Sequence, residues 1–484
     1  MESPEQPAFR VAVVGAGISG LSFAYRLQRE AQKAGRPVAV TLLEAGARPG
    51  GVIETRRTHG CLLEQGPDCW ASNKPAGVEL ARELGLEAEL IGTRPGVRRS
   101  FILHQGELRR LPEGFFLISP MSVRAVAATP LLTPWGKLRM ALELFMPARR
   151  EDSDESLADF VRRRFGREAL ARIAQPMVAG IYTADPEKLS LKATFPQFLQ
   201  WEREQGSVIR ALRARAAAEK ASGSATGGEV SRAAGPRYGL FVTLRGGLDG
   251  LPRALERALT PGTLRLTSIV AGMRREGQGW ELKVGSTAEH YDALCLALPA
   301  HRSAALLREP EPALSAMLAE FEYAGSAVVN FVFRRSQVAH PMDGIGAVIP
   351  AAEHRKLVAF SFSSVKFEGR APDGMVVLRA FMGGALNPEL AGKSPAELAS
   401  IALAELRDLV GLRGEPLHVE AASHHGTMAQ YHVGHLDRVA RVRAALAAAP
   451  RLCVIGNAFD GVSIPDCIRN ANDAARALLR QLAP

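Results

Sequence analysis

Three glycines, Gly15, Gly17 and Gly20, lie between an apolar run and an amphipathic one, and an acid, Glu44, follows downstream. That pattern suits a dinucleotide pyrophosphate. Gly15 permits a tight turn, Gly17 lets a phosphate approach the backbone, and Gly20 allows a helix to pack closely on a strand. The N–H groups of Ile18 and Ser19 then open a helix whose positive dipole end faces the phosphates. Glu44, with Ala45 beside it, is placed to accept hydrogen bonds from ribose hydroxyls. Arg48, Gly50 and Gly51 come next. The paired glycines let the chain pass close to a ligand, and Arg48 can meet a phosphate or cap a helix. A second helix N-terminus is expected after Gly456, where residues 456–466 join a buried strand to a helix opened by Pro465.

The glycine pattern is weak alone and gains its meaning from its setting. Residues 10–14 read as a buried parallel strand, 21–33 as a helix, and 38–43 as a second strand ending at Glu44. This is the order of a Rossmann βαβ unit. Residues 97–111 read as a hairpin turning at Gln105-Gly106. Residues 153–165 read as a helix, with Asp152 and Glu155 at capping-box spacing and Arg162, Arg163 and Arg164 in its last turn. Residues 213–237, rich in Ala, Gly and Ser, read as a flexible surface excursion. Strands are expected near 264–270, 280–284, 293–298, 327–333, 347–349, 375–381 and 452–455, and a last helix over 465–482.

Composition narrows the function. A chain of 484 residues is long enough for two or three domains, since one domain usually holds ~100–200. Net charge is +10, yet the basic residues form no stripe with interleaved aromatics, which argues against nucleic acid as a partner. The five cysteines are odd in number and lack Cys-x-x-Cys spacing, as expected of reduced thiols in a cytoplasmic protein. The opening residues lack the basic start and apolar stretch of a secretory signal. Residues 115–135 are interrupted by Pro120, Arg124, Pro130 and Pro134, so they suit resting on the inner face of a membrane rather than spanning it. His424, His425, His432 and His435 lack a completing thiol or carboxylate set, and no metal is expected.

The acid-then-Arg-x-Gly-Gly element from Glu44 to Gly51 resembles that of the flavin amine oxidase superfamily, which implies FAD. In that superfamily the late strand–helix junction aims at the flavin pyrimidine ring, here through Gly456, Val462, Ser463 and Ile464. A closer likeness runs through residues 11–21, 64–68, 180–185, 189–196, 429–435 and 461–467. These segments resemble the porphyrinogen oxidases of haem biosynthesis. The resemblance implies an α/β and α+β fold: a Rossmann-type FAD-binding domain of discontinuous segments (1–92, 240–300 and 445–484), a helical subdomain that touches membrane (93–205), an excursion (206–239) and a mixed-sheet substrate domain (301–444). It places Gly66, Pro67, Asp68 and Val270 beside the cofactor. It places Ala179 and Gly180 in the substrate pocket, and Val348 and Phe367 on pyrrole faces. It implies oxidation of protoporphyrinogen IX to protoporphyrin IX by dioxygen with release of peroxide. Coproporphyrinogen III oxidation is the alternative, and another flavin oxidase activity a more distant one. Many protoporphyrinogen oxidases carry an arginine where this chain has Ser100; Arg98 shares the side of Ser100 in a strand. Some coproporphyrinogen-oxidising relatives also lack that arginine. No catalytic acid or base is expected, because the pyrroles flanking a meso carbon stabilise positive charge as hydride departs. A homodimer is compatible with the resemblance.

Overall fold

The computed structural model describes residues 8–97, 99–111, 115, 116, 118–121, 123–221 and 241–482. A five-stranded sheet is built from segments far apart in the chain, in the order Leu264–Arg265, Val38–Leu43, Phe9–Val14, Ala293–Leu296 and Leu452–Val454. All its pairings are parallel. Its central strand is apolar from Val11 to Val14, where both faces are covered, and exposed Arg10 lies near its start. Ala12 and Val14 enter one core, while Val11 and Val13 enter another. The first helix, Ile18–Lys33, and the last, Ile464–Gln481, share the second core through Leu21, Ala24 and Leu27 against Ile468, Ala471 and Leu478.

A seven-stranded mixed sheet forms the other large layer. Its order is His418–Ala429, Tyr323–Arg334, Met375–Gly383, Leu357–Phe362, Gly346–Val348, Phe101–His104 and Glu107–Arg110. Only the pairing of Gly346–Val348 with Phe101–His104 is parallel. The hairpin turns at Gln105 (φ 53°) and Gly106 (φ 77°), the left-handed pair that a two-residue hairpin turn requires. One face packs on helix Pro395–Val410, which opens on the Ser394–Glu397 capping box. The other meets a helical layer that includes Leu157–Arg164, Gln175–Tyr182, Pro196–Gln205 and Val208–Ala221.

Three local expectations differ from the structure. The helix expected from residue 153 starts at Leu157. Ser156 is its N-cap, its Oγ accepting from the Asp159 N–H at 3.0 Å, and Asp152 instead pairs with Arg203 and Lys192. Residues 213–221 belong to helix Val208–Ala221, whose alanines favour helix and whose Val208, Ile209, Ala211 and Leu212 are buried. Residues 222–237 of the expected excursion lie outside the described residues. The strand expected over 264–270 is split, because Thr267 turns at φ 51° and its N–H donates to Gly46 O.

Candidate functional site

Both the first and the last helix follow a parallel strand, so their N-termini meet at the carboxyl edge of the five-stranded sheet. Gly15 leaves the first strand at φ +101°, and a Cβ there would lie 2.7 Å from Ala297 O. A Cβ on Gly20 would lie 1.9 Å from Gly15 O, so the helix reaches the strand only because that position is bare. Gly17 is the N-cap; no side chain caps this helix, and a Cβ at Gly17 would meet nothing within 4 Å. The first-turn N–H groups of Ile18 and Ser19 therefore open on unfilled space. Gly50 donates its N–H to Ala16 O at 2.8 Å, and Gly51 (φ +58°) packs against Gly17 Cα. Glu44 accepts from Ala16 N–H and Gly46 N–H, each at 2.8 Å, and so ties the two loops together. Ala45 is exposed beside it. Arg48 lies on the same loop. Its guanidinium donates to the Gly51 and Ile53 carbonyls at 2.8 and 3.1 Å and pairs with Glu54 at 2.7 Å, clamping its own loop. The Ser268 N–H donates to Glu44 O, which brings the following strand, beginning at Val270, beside that loop.

The last helix begins at the junction after Gly456 (φ +143°). Ser463 and Asp466 form its capping box, and Lys74 pairs with Asp466 while donating to Ser463 Oγ at 3.3 Å. The Cys467 thiol bonds to Ser19, so the first turns of the two helices touch; burial pushes that thiol up to about 11. Tyr431 braces the junction: its hydroxyl donates to Asn457 O and accepts from Gly461 N–H, each at 2.8 Å. His435 stacks on Tyr431 at 3.8 Å and donates Nε2–H to Phe459 O at 2.9 Å; burial lowers its pKa. His424 donates to Gln65 O at 2.7 Å, and His432 faces Glu322. The His424 and His435 rings hold backbone in place. Among the described residues the one three-ligand grouping is Glu276, Glu281 and His290, away from this site on a separate three-stranded sheet.

Helix Gln175–Tyr182 ends beside this junction. Tyr182 lies 6.4 Å from the Tyr431 ring, and burial, then the charge of Asp466, pushes its phenol above the usual range. A Cβ on Gly180 would stand 3.7 Å from Val348 Cγ1, so the structure brings these two residues together. Ala179 is buried next to them. Val348 pairs in register with Ile102, and by strand alternation Ser100 shares the Ile102 face. Arg98 lies outside the described residues. Phe367 is 1% exposed and sits among cations, 5.0 Å from Lys366 Nζ and 5.6 Å from the Arg370 guanidinium.

Residues 18–479 match the family model described as flavin containing amine oxidoreductase. The chain belongs to that family. It is 31% identical over 475 residues to the coproporphyrinogen III oxidase of Bacillus subtilis (strain 168), covering 98% of both chains. To the coproporphyrinogen III oxidase of Propionibacterium freudenreichii subsp. freudenreichii it is 34% identical, over 98% of this chain and 91% of the relative. A crystal structure from Exiguobacterium sp. 255-15, provisionally named a protoporphyrinogen oxidase, superposes with a TM-score of 0.86 at 29% identity, over 98% of this chain and 99% of the other. The protein is thus a flavin oxidoreductase of the porphyrinogen oxidase branch.

Segment 64–69, part of which the resemblance places beside the cofactor, draws its partners from far along the chain. Segment 64–69 passes Val52, since a Cβ on Gly66 would lie 1.9 Å from Val52 O, and leads on through Pro67 toward Lys74. Arg379 donates to Glu64 O and Gly66 O, and Asn330 donates to Glu64 O at 3.1 Å. Asp68 meets Lys366 at 2.9 Å and Arg379 at 3.5 Å. Burial would raise the Asp68 pKa, but these two cations overcome it and hold the carboxylate well below its usual range. Burial pushes the neighbouring Cys69 thiol up to about 12.

The Gly180–Val348 contact sets up a test of the opposite wall. Leucine at 180 would fill the space in front of Val348 without reaching the glycine cradle. Gly180→Leu is expected to retain flavin at the wild-type ratio while turnover falls on the order of tenfold or more, an overpacking effect of ~1–3 kcal/mol. Flavin absorbance and steady-state rates read the two separately, and unchanged turnover would remove Gly180 from the substrate wall.

Proposed function

We propose that this chain is an FAD-dependent oxidase that converts coproporphyrinogen III to coproporphyrin III, with dioxygen as the electron acceptor and peroxide released. The observation that carries the reading is the meeting of two helix N-termini beside a wall relieved of its side chain at Gly180. The first N-terminus, with its open cradle at Gly17, fits a pyrophosphate, and Glu44 fits an adenosine ribose. The second, at Ser463 and Ile464, fits the pyrimidine end of a flavin. A dinucleotide with a flavin at one end satisfies both.

When bound, the flavin supplies a hydride acceptor whose electrons pass on to dioxygen. The chain itself supplies position and field. The N-terminal dipole of the last helix favours negative charge at its tip. Helix Gln175–Tyr182 and Val348 hold the apolar face of the macrocycle against it and keep water away. No side chain is assigned as proton acceptor, because the pyrroles carry the positive charge that develops.

Coproporphyrinogen is favoured because the two curated relatives above act, by name, on that compound, and because Ser100 replaces the arginine of many protoporphyrinogen oxidases. The name of the Exiguobacterium structure favours protoporphyrinogen IX as the second reading. Purified protein supplied with each porphyrinogen in air decides between them. Porphyrin fluorescence is expected to rise much faster with coproporphyrinogen III. Faster oxidation of protoporphyrinogen IX would reverse the assignment, and none with either would end it.

We place a membrane contact just past residues 115–135, where the sequence suggested one. No helix among the described residues is long and apolar enough to cross a bilayer. However, Trp135 and Phe145 are each 79% exposed, and Leu138 and Leu142 lie between them at helical spacing. The four side chains make one apolar stripe on helix Pro134–Ala141 and the turn Leu142–Phe145. On a chain of net charge +10, such a stripe suits the surface of an anionic bilayer. Trp135→Ser with Phe145→Ser is expected to reduce co-sedimentation with anionic vesicles on the order of tenfold or more, at unchanged flavin content. Equal sedimentation of wild type and variant would refute the contact.

A further inference from the structure

Five ionisable side chains cluster beneath segment 64–69, and their charges do not cancel. Lys366, Arg370 and Arg379 are buried, as is Glu64, and Asp68 is nearly so. Lys366 and Arg379 both face Asp68, and Arg370 faces Glu64 at 3.8 Å. Three cations thus meet two carboxylates. The charged groups around them offer no remedy: Arg245 with Glu368, and Arg57 with Asp249, pair with each other nearer the surface. Carbonyls of Glu64, Gly66, Leu244 and Arg245 solvate the two guanidiniums, but they carry no net charge. Burial also raises the Glu64 pKa, which favours its neutral form and enlarges the excess.

An uncompensated buried cation is costly unless an anion comes to it. The backbone above this cluster leads from Val52, next to Gly51 and Gly17, to Lys74, next to Ser463 and Asp466. It therefore runs along the stretch between the two helix N-termini. We propose that the surplus positive charge under Asp68 stabilises the anionic, reduced state of the flavin, with Lys366 and Arg379 as positioning residues that act through the field and through segment 64–69. The proposal rests on the flavin reading above and adds to it a charge device separate from the dipole of the last helix.

The test is the flavin midpoint potential of the purified holoprotein, measured by spectroelectrochemistry in substitutions of opposite sign. Lys366→Met removes a positive charge and is expected to shift the potential negative. It should weaken binding of reduced relative to oxidised flavin by on the order of tenfold. Asp68→Asn removes a negative charge and is expected to shift the potential positive. Lys366→Arg should stay close to wild type. Should Lys366→Met lose its flavin, Arg370→Met, set deeper, must show the same negative shift. Shifts of one sign in Lys366→Met and Asp68→Asn, or no shift in either, overturn the proposal. So does an unchanged potential with a raised KM, which would assign the charge to a substrate carboxylate. A colourless wild-type protein would instead defeat the flavin reading itself.

Discussion

A Gly17→Val variant is expected to emerge folded and colourless. Gly17 has φ −67° and ψ 179°, an extended conformation open to any residue, and a Cβ there meets nothing within 4 Å. The fold therefore makes no demand for glycine at this position, whereas the proposed pyrophosphate does. A valine would stand in front of the first-turn N–H groups and hold a phosphate away from them. An overpacking cost of ~2–3 kcal/mol corresponds to on the order of a hundredfold in affinity. Gly20→Val is the contrasting case, since its Cβ would lie 1.9 Å from Gly15 O and the first helix could not close on its strand. Gly17→Val should thus keep its far-UV spectrum and melt near the flavin-free wild type, whereas Gly20→Val should be unstable with or without flavin. Flavin absorbance per mole of purified protein, read with a melting curve, checks both. A yellow Gly17→Val protein would show that the pyrophosphate does not lie against this turn.

What could be read from the sequence followed the range of the interaction. The glycine turn, Glu44, the hairpin at Gln105-Gly106 and the last helix are specified by residues close together, so their types and spacing are visible. Arg48 stands in a local motif, but its acceptors at Gly51, Ile53 and Glu54 depend on how the loop folds back. Asp152 and Ser156 each begin a capping pattern, with Glu155 and Asp159 three residues on, and tertiary pairing of Asp152 with Arg203 leaves the cap to Ser156. The charge cluster under Asp68 gave no signal at all. Lys366, at the end of the short helix Ser363–Lys366, and Arg379, on the seven-stranded sheet, are about three hundred residues away in sequence, and neither stands in a recognisable pattern. The pairing of Lys74 with Asp466 spans almost the whole chain. Contacts of this range appear only when the sheets are assembled.

Glu143→Ala is expected to destabilise the helical layer by about 3–5 kcal/mol, as removal of one partner from a buried ion pair does. Glu143 and Arg164 are both fully buried. Arg164 donates to Glu143 Oε1, and Glu143 also accepts from Ser207 Oγ and from the Val208 N–H at 2.8 Å, so it caps helix Val208–Ala221 from across the layer. Removing it strands the guanidinium and uncaps that helix together. Arg164 keeps the carbonyls of residue 143, Met146, Pro147 and Gly206 and the edge of Glu202. This layer shares its core with Val178 of the Gly180 helix and with Val14 and Phe459 behind the cradle, whereas the first and last helices pack in the core that holds Leu21 and Ile468. The effect on function should follow that division: turnover falls and loosens first on heating, while flavin remains bound. A volume-matched Glu143→Leu with Arg164→Met should recover much of the lost stability, because the desolvation of both charges disappears with them. Denaturant unfolding of the single and paired variants, followed by flavin fluorescence and by far-UV signal separately, distinguishes the outcomes. Coincident loss of flavin and helix would mean that the two layers unfold as one unit and that the glycine cradle depends on the helical layer after all.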